Sequence, residues 1–381
     1  MPKYVGAPDQ GTTSSSPERA SARNDRTRKR LLVVGAGAVG SFLGTLLGTV
    51  GYDVTLVRIF EQPSEKPVTL VRRDGTRVVV PVHRVTRTED SAHPDLILVA
   101  VKMPALREAL VPTQVWPDAP TITVENGIGA EEIAAEVRIW SQQIAASLTA
   151  PIRLASEDEV LWLGRGGIGL AATNSKAKPF VAPLLADFAR AGLRAAELPD
   201  AKAMKWSKLL ANMIANATGA ILDMDPDAIY ADKRLFDIER RQLLEALAVM
   251  SALGLKPVKL PGAAVPWLVR AIRLPAWLGR PILRRIVGGA RGGKLPSLRL
   301  HLRMAGEEPS TEQTEVAWMN GAVAKWGRLS DVATPVNARL AELVDDVAAH
   351  PDRRVRLRHK PELFLAEIAE TAETAEAASK G

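Results

Sequence analysis

The stretch that most limits what this chain can fold into runs from Leu31 to Arg58, LLVVGAGAVGSFLGTLLGTVGYDVTLVR. It opens with a short apolar run, Leu31 to Val34, and continues with Gly35, Gly37 and Gly40 in G-x-G-x-x-G spacing. An apolar run of this length that ends in a glycine turn suits a buried parallel strand. The glycines then divide the work of a dinucleotide-binding turn. Gly35 permits the tight exit from the strand, Gly37 lets a pyrophosphate approach the backbone, and Gly40 lets the next helix pack on the sheet. A helix is predicted from about Val39 to Val50, closed by Gly51, with Asp53 to Val57 as the next strand. Its first turn, with Ala36, Ala38 and Val39 between the glycines, would present free N–H groups and the positive end of its dipole to phosphate oxygens.

A membrane reading competes for the same residues. Leu31 to Tyr52 carries no charge, Arg23 to Arg30 just before it is basic, and Gly40, Gly44 and Gly48 recur every four residues as on a membrane-helix packing face. The six glycines and the strand-like DVTLV that follows Gly51 fit strand, turn, helix and strand better.

A chain of 381 residues has material for two domains. Without cysteine it has no disulfide, thiolate metal site or cysteine nucleophile, which fits a reducing, cytoplasmic setting. Its five histidines are scattered, so no metal site is expected. The net charge of +7 is local. Met1 to Arg30 has seven basic and three acidic residues, Gly254 to Pro296 has nine basic residues and no acid, and Pro361 to Gly381 has one lysine and five glutamates. A local excess of this kind does not argue for nucleic-acid binding.

Residues 1–30 are polar, arginine-rich and expected to be a disordered tail. Residues 31–198 alternate strand and helix signals. They include a hairpin at Asp74-Gly75, a buried strand at Asp95 to Lys102, and a strand at Thr121 to Glu125 that runs into Asn126-Gly127-Ile128-Gly129. This pattern predicts a Rossmann-type, doubly wound parallel sheet. From residue 199 to 350 the period becomes helical, with helices expected at Ala203 to Thr218, Lys233 to Leu253, Ser297 to Met304, Glu312 to Trp326 and Pro335 to Ala348. The fold class is therefore α/β followed by an all-α domain, and residues 351–381 are read as a charged tail whose last twenty, rich in Ala and Glu, fit a loose helix or a tail.

In KWSKLLANMIANATGA, Lys208, Asn212 and Asn216 lie four apart and form one polar stripe on an otherwise apolar helix. Other protein groups could satisfy these side chains, or they could line a cleft for a small, oxygen-rich substrate. At this point the chain resembles the ketopantoate reductases (2-dehydropantoate 2-reductases). The resemblance spans roughly Leu31 to Val347. It rests on GAGAVG, AVK at Ala100 to Lys102, ENGIG at Glu125 to Gly129, WSKLLANMIANATGA, Pro296-Ser297, TEVAWMNGAV at Thr314 to Val323, and TPVN at Thr334 to Asn337. It implies NADP(H) as cofactor and a small 2-keto acid as substrate. It also implies Lys208 as general acid, with Glu315 working beside it. Asn126, Asn212, Asn216 and Ser297 would contact substrate, and Lys102 would stand beside cofactor and substrate.

The chain departs from the family in three places. Where the family usually holds an arginine for the NADP 2′-phosphate this chain has Ile59, with Arg58 one position earlier. Ala317 replaces a common aspartate, and the segments before Ser297 and before Thr314 look longer. The enlarged segment, Pro257 to Arg291, interleaves Trp267, Leu268, Ile272, Leu274, Trp277, Leu278, Ile282, Leu283, Ile286 and Val287 with Arg270, Arg273, Arg280, Arg284 and Arg285, and is broken by prolines. A membrane-surface patch, a dimer contact and a helical lobe over the cleft all fit it. The last two are favoured, because amphipathic segments pack more often than they bind lipid. No integral membrane segment is expected, and a homodimer stays open. The alternatives to reduction of 2-dehydropantoate are a reductase of a bulkier keto acid and a non-catalytic NADP-binding protein.

Overall fold

The computed structural model describes residues 28–58, 62–139, 141–290, 296–305 and 313–378. Residues 1–27 of the basic tail, the loop residue Ile59 and most of the segment before Thr314 lie outside these residues, while Arg30, counted in the tail, opens the first strand.

Strand β1 (Arg30–Val34) leads through the glycine turn into helix α1 (Ala38–Gly48) and strand β2 (Asp53–Val57). Leu31 and Val33 are buried in one layer, Leu32 and Val34 in the layer on the other face, so the strand is covered on both sides. The glycines of α1 that suggested a membrane face pack on strands instead. A Cβ on Gly44 would meet Val33, and one on Gly48 would lie 2.4 Å from Val80. No helix among the described residues is long and apolar enough to cross a membrane.

Strands β3 (Val68–Val71) and β4 (Arg77–Val80) form the hairpin expected at Asp74-Gly75. Gly75 has φ of 84°, and the Asp74 carboxylate accepts from the Thr76 N–H at 3.0 Å. The chain continues through β5 (His83–Val85), β6 (Leu96–Val99), α2 (Leu106–Leu110), β7 (Thr121–Thr123), α3 (Ala130–Val137), β8 (Gln143–Leu148), β9 (Ile152–Ser156), β10 (Glu159–Trp162), β11 (Gly167–Ala172), α4 (Lys178–Arg190) and β12 (Arg194–Glu197). Eight strands make one sheet in the order β12-β11-β8-β7-β6-β1-β2-β5. Every neighbouring pair in it is parallel except β8 and β11. The direction of winding reverses between β1 and β6, which creates a crevice at the carboxyl ends of these strands. A smaller sheet, β4-β3-β10-β9, packs beyond α1.

After Glu197 the described residues are helical: α5 (Ala201–Met213), α6 (Ala217–Leu222), α7 (Pro226–Ala231), α8 (Lys233–Ala252), α9 (Val265–Arg273), α10 (Ala276–Ala290), α11 (Ser297–Ala305), α12 (Asn320–Leu329), α13 (Pro335–Ala349), α14 (Pro351–Leu357) and α15 (Pro361–Ala378). Asp200 caps α5 by accepting from the Ala203 N–H at 3.0 Å. Trp206, Leu209, Leu210 and Met213 join α5 to a core shared with α8, and the helix also packs on β8 and β11 of the sheet.

Three expectations need correction. The helix foreseen over Ala203 to Thr218 is broken: Ile214 leaves helical geometry, Ala215 has φ of 46°, and α6 starts anew after Asn216. Glu239 of α8 explains the break, because its carboxylate takes the Ala215 N–H at 2.7 Å and removes it from the helix ladder. The helix foreseen over Glu312 to Trp326 is likewise a 3-10 turn, Glu315–Trp318, followed after Met319 by α12. Finally, the stretch from residue 351, read as a tail with a loose helix as the alternative for its last twenty residues, supplies α14 and α15, and Phe364 and Ile368 are buried in the helical core.

Candidate active site

The three glycines behave differently, as their separate roles require. Gly35 has φ of 102°, and a Cβ there would lie 2.6 Å from the Ala100 oxygen. A Cβ on Gly40 would lie 2.0 Å from the Gly35 oxygen, so α1 rests directly on the turn. A Cβ on Gly37 would meet nothing within 4 Å; this glycine faces open space at the N-cap of α1. Ala38 and Val39 open the helix, and no side chain caps it, so its first N–H groups remain for an anion. The turn therefore fits a dinucleotide pyrophosphate. Arg58 follows β2 directly and reaches Glu157 at 3.4 Å in an exposed pair.

Lys102 and Asn126 arrive at the same crevice because they follow β6 and β7. The turn Glu125 to Gly129 is held from the helical side. Gly127 has φ of 91°, a Cβ there would lie 2.5 Å from the Trp318 oxygen, and the Ile128 N–H donates to that oxygen at 2.9 Å. Asn212, one helical turn after the half-buried Lys208, donates through its amide to Asn126 Oδ1 at 3.0 Å. This bond carries the polar stripe of α5 across to the sheet.

Asn216 does not continue that stripe along one helix. It sits at the N-cap of α6, 2% exposed, and turns toward the start of α11. Its amide donates to Ser297 Oγ at 3.3 Å, and its oxygen accepts from the Leu298 N–H at 3.1 Å. Ser297 is half-buried there. Glu315, in the 3-10 turn before Trp318, accepts from the Met103 N–H and feels the charge of Lys102. Burial outweighs both and raises its carboxyl above the usual range.

Directly behind Asn126 lies a charged group that the sequence reading overlooked. Lys205, almost fully buried on α5, donates to the Glu125 carbonyl at 3.0 Å and pairs with Glu131 Oε1 at 3.0 Å. Thr123 Oγ1 donates to the same oxygen at 2.9 Å. The Glu125 carboxyl is buried beside them without a side-chain hydrogen-bond partner among the described residues. Desolvation pushes it up to about 8, against the opposing pull of Lys205. At neutral pH the buried Glu125 carboxyl therefore favours its protonated form. The available signal was Lys205 itself, four and eight residues before the buried Leu209 and Met213 and so on the apolar face of α5.

Two family models match this chain. One, described as ketopantoate reductase PanE/ApbA, covers residues 31–174, and the other, ketopantoate reductase PanE/ApbA C terminal, covers residues 200–276. Among curated relatives, a 2-dehydropantoate 2-reductase of Pyrococcus horikoshii is 25% identical over 319 residues, 83% of this chain and 96% of its own length. Another, from Halobacterium salinarum, is 27% identical over 327 residues, 83% of this chain and 97% of its own. Among solved structures, a PanE/ApbA family ketopantoate reductase from Ralstonia eutropha superposes with a TM-score of 0.68 at 20% identity, covering 86% of this chain and 99% of that one. A D-mandelate dehydrogenase solved with NADH and anilino(oxo)acetate gives a TM-score of 0.67 at 20% identity, with the same coverage. At that identity the structural likeness is one of fold.

Proposed function

Because this chain belongs to the ketopantoate reductase (PanE/ApbA) family and is an oxidoreductase, we propose that it reduces a small 2-keto acid with NADPH, by default 2-dehydropantoate to pantoate. The observation that carries the reading is the Asn212–Asn126 hydrogen bond. It brings Asn126, which follows β7, two strands along the sheet from β1 and its glycine turn, within one helical turn of Lys208. When bound, the reduced nicotinamide supplies a hydride to the keto carbon. Negative charge then develops on the carbonyl oxygen, which needs a donor that stabilises the charge and delivers a proton. Lys208 takes that role as a cationic donor on the cleft side of α5. Asn126 and Asn212 orient the substrate oxygens.

Asn216 and Ser297 hold the carboxylate end. Ser297 accepts from Asn216, so its own proton is left for an anionic oxygen. Glu315 borders the same cleft beside Lys102. In this proposal Glu315 steadies the lysines and accepts from a substrate hydroxyl. A second reading, reduction of a bulkier keto acid, is supported by Ala317 in place of a carboxylate and by the enlarged segment before Ser297.

NADPH oxidation with a panel of 2-keto acids tests the proposal directly. Lys208→Ala should lower kcat on the best substrate by about two orders of magnitude or more, the usual scale of a proton-transferring group. NADPH affinity should stay near wild type. A well-folded Lys208→Ala protein with near wild-type kcat would remove Lys208 from this role.

A further inference from the structure

The helical hairpin α9–α10 has a well-packed inner side and an unusual outer one. Val265, Leu268, Val269 and Ile272 are buried, and α9 packs on α5 and α8. Gly279 lets the two helices meet, since a Cβ there would lie 2.7 Å from the Ala271 oxygen. On the outside, Trp267 is 65% and Trp277 74% exposed, and Leu278 and Ile282 are also exposed. Trp277, Leu278, Pro281 and Ile282 fall one turn apart and form a single apolar strip on α10. Arginines border it: Arg270 lies over the Trp267 ring at 4.7 Å, with Arg273 and Arg285 exposed nearby. No carboxylate pairs with these three among the described residues, and residues 254–296 contain no acid at all.

The sequence alone favoured a packed lobe or a dimer contact for this segment. The inner side is indeed packed, but the charge pattern counts against a second copy on the outer side. A two-fold contact would set the patch against itself and bring arginine against arginine. The partner must therefore be anionic. An aliphatic strip flanked by tryptophans suits acyl chains below a headgroup layer, whereas a nucleic-acid surface is read by cations with aromatic stacking.

We propose that the α9–α10 face docks on the surface of an anionic lipid bilayer, with Trp267, Trp277, Leu278 and Ile282 entering the interface and the arginines meeting lipid phosphates. This is peripheral attachment and crosses nothing.

The test uses the full chain with vesicles of phosphatidylcholine alone or with about one third phosphatidylglycerol, at low and high salt. Co-sedimentation should appear with the anionic vesicles, weaken at least about tenfold in high salt, and be accompanied by a blue shift of tryptophan emission. The double variant Trp267→Ala/Trp277→Ala should lose at least about tenfold in partition while keeping its circular dichroism and its turnover of soluble substrate. Arg270→Gln/Arg285→Gln should lose binding without touching either tryptophan. Absence of partition overturns the proposal. Undiminished partition of the tryptophan variant also does, since the basic N-terminal residues would then be responsible. Tighter binding to duplex or single-stranded nucleic acid than to vesicles at matched salt would assign the face to that partner. A concentration-dependent dimer dissolved by the tryptophan substitutions would assign it to a second copy.

Discussion

At the scale of single residues, Glu125 makes the sharpest demand. Its carboxyl, held near 8 in the native state, sits above the 4.5 of an exposed glutamate. The folded chain therefore keeps a proton that the unfolded chain has released. This contribution to stability is complete below about pH 4.5 and declines as pH rises to about 8. Glu125→Gln copies the protonated acid and should flatten the dependence of Tm on pH across that window, while keeping activity. An unaltered slope would assign the dependence elsewhere. Arg58 makes a demand on cofactor choice. The second strand ends in this guanidinium instead of the carboxylate that would accept from a ribose 2′-hydroxyl. Its exposed pair with Glu157 is worth little and can yield to a 2′-phosphate. Arg58→Ala should weaken NADPH binding about tenfold, the loss of a charge-assisted contact, and NADH binding far less. Titration of both cofactors checks this.

At the scale of elements, much was legible, and the exceptions share one cause. Strand β1, the glycine turn, the Asp74-Gly75 hairpin and the helices at 233–252 and 335–349 follow from local period and turn chemistry. The breaks at Ile214 to Asn216 and at Met319 do not, because tertiary partners impose them. Nothing in IANATGA says that a carboxylate 24 residues later in sequence will take the Ala215 N–H. Lys205 is a similar case: its partner Glu131 stands 74 positions away, and no spacing rule links them. The polar stripe did single out Lys208, Asn212 and Asn216, but the route that turns Asn216 to Ser297 was hidden. Glu239→Leu should therefore act at a distance. With Ala215 N–H unpaired, stability should fall by about 1–3 kcal/mol. Asn216 should also drift from Ser297, raising KM for the keto acid more than it lowers kcat. Unchanged KM in a destabilised variant would separate the break from the site.

At the scale of the whole molecule, the sheet and the helices meet where α5 packs on β8 and β11, and a short stretch of chain adds polar bonds between them. Residues 125–131 give Lys205 its two acceptors, bind Asn212 through Asn126, and bond Trp318 through Ile128. Both layers should therefore unfold together, in one calorimetric transition. Lys205→Met, which strands Glu131 in a nearly dry site, should lower that transition by about 3–5 kcal/mol without splitting it. Two resolved transitions in the wild type would contradict this coupling. The same stretch clamps the Asn126–Asn212 pair from both layers at once: the sheet side carries one amide, and the helix that packs on β8 and β11 carries the other.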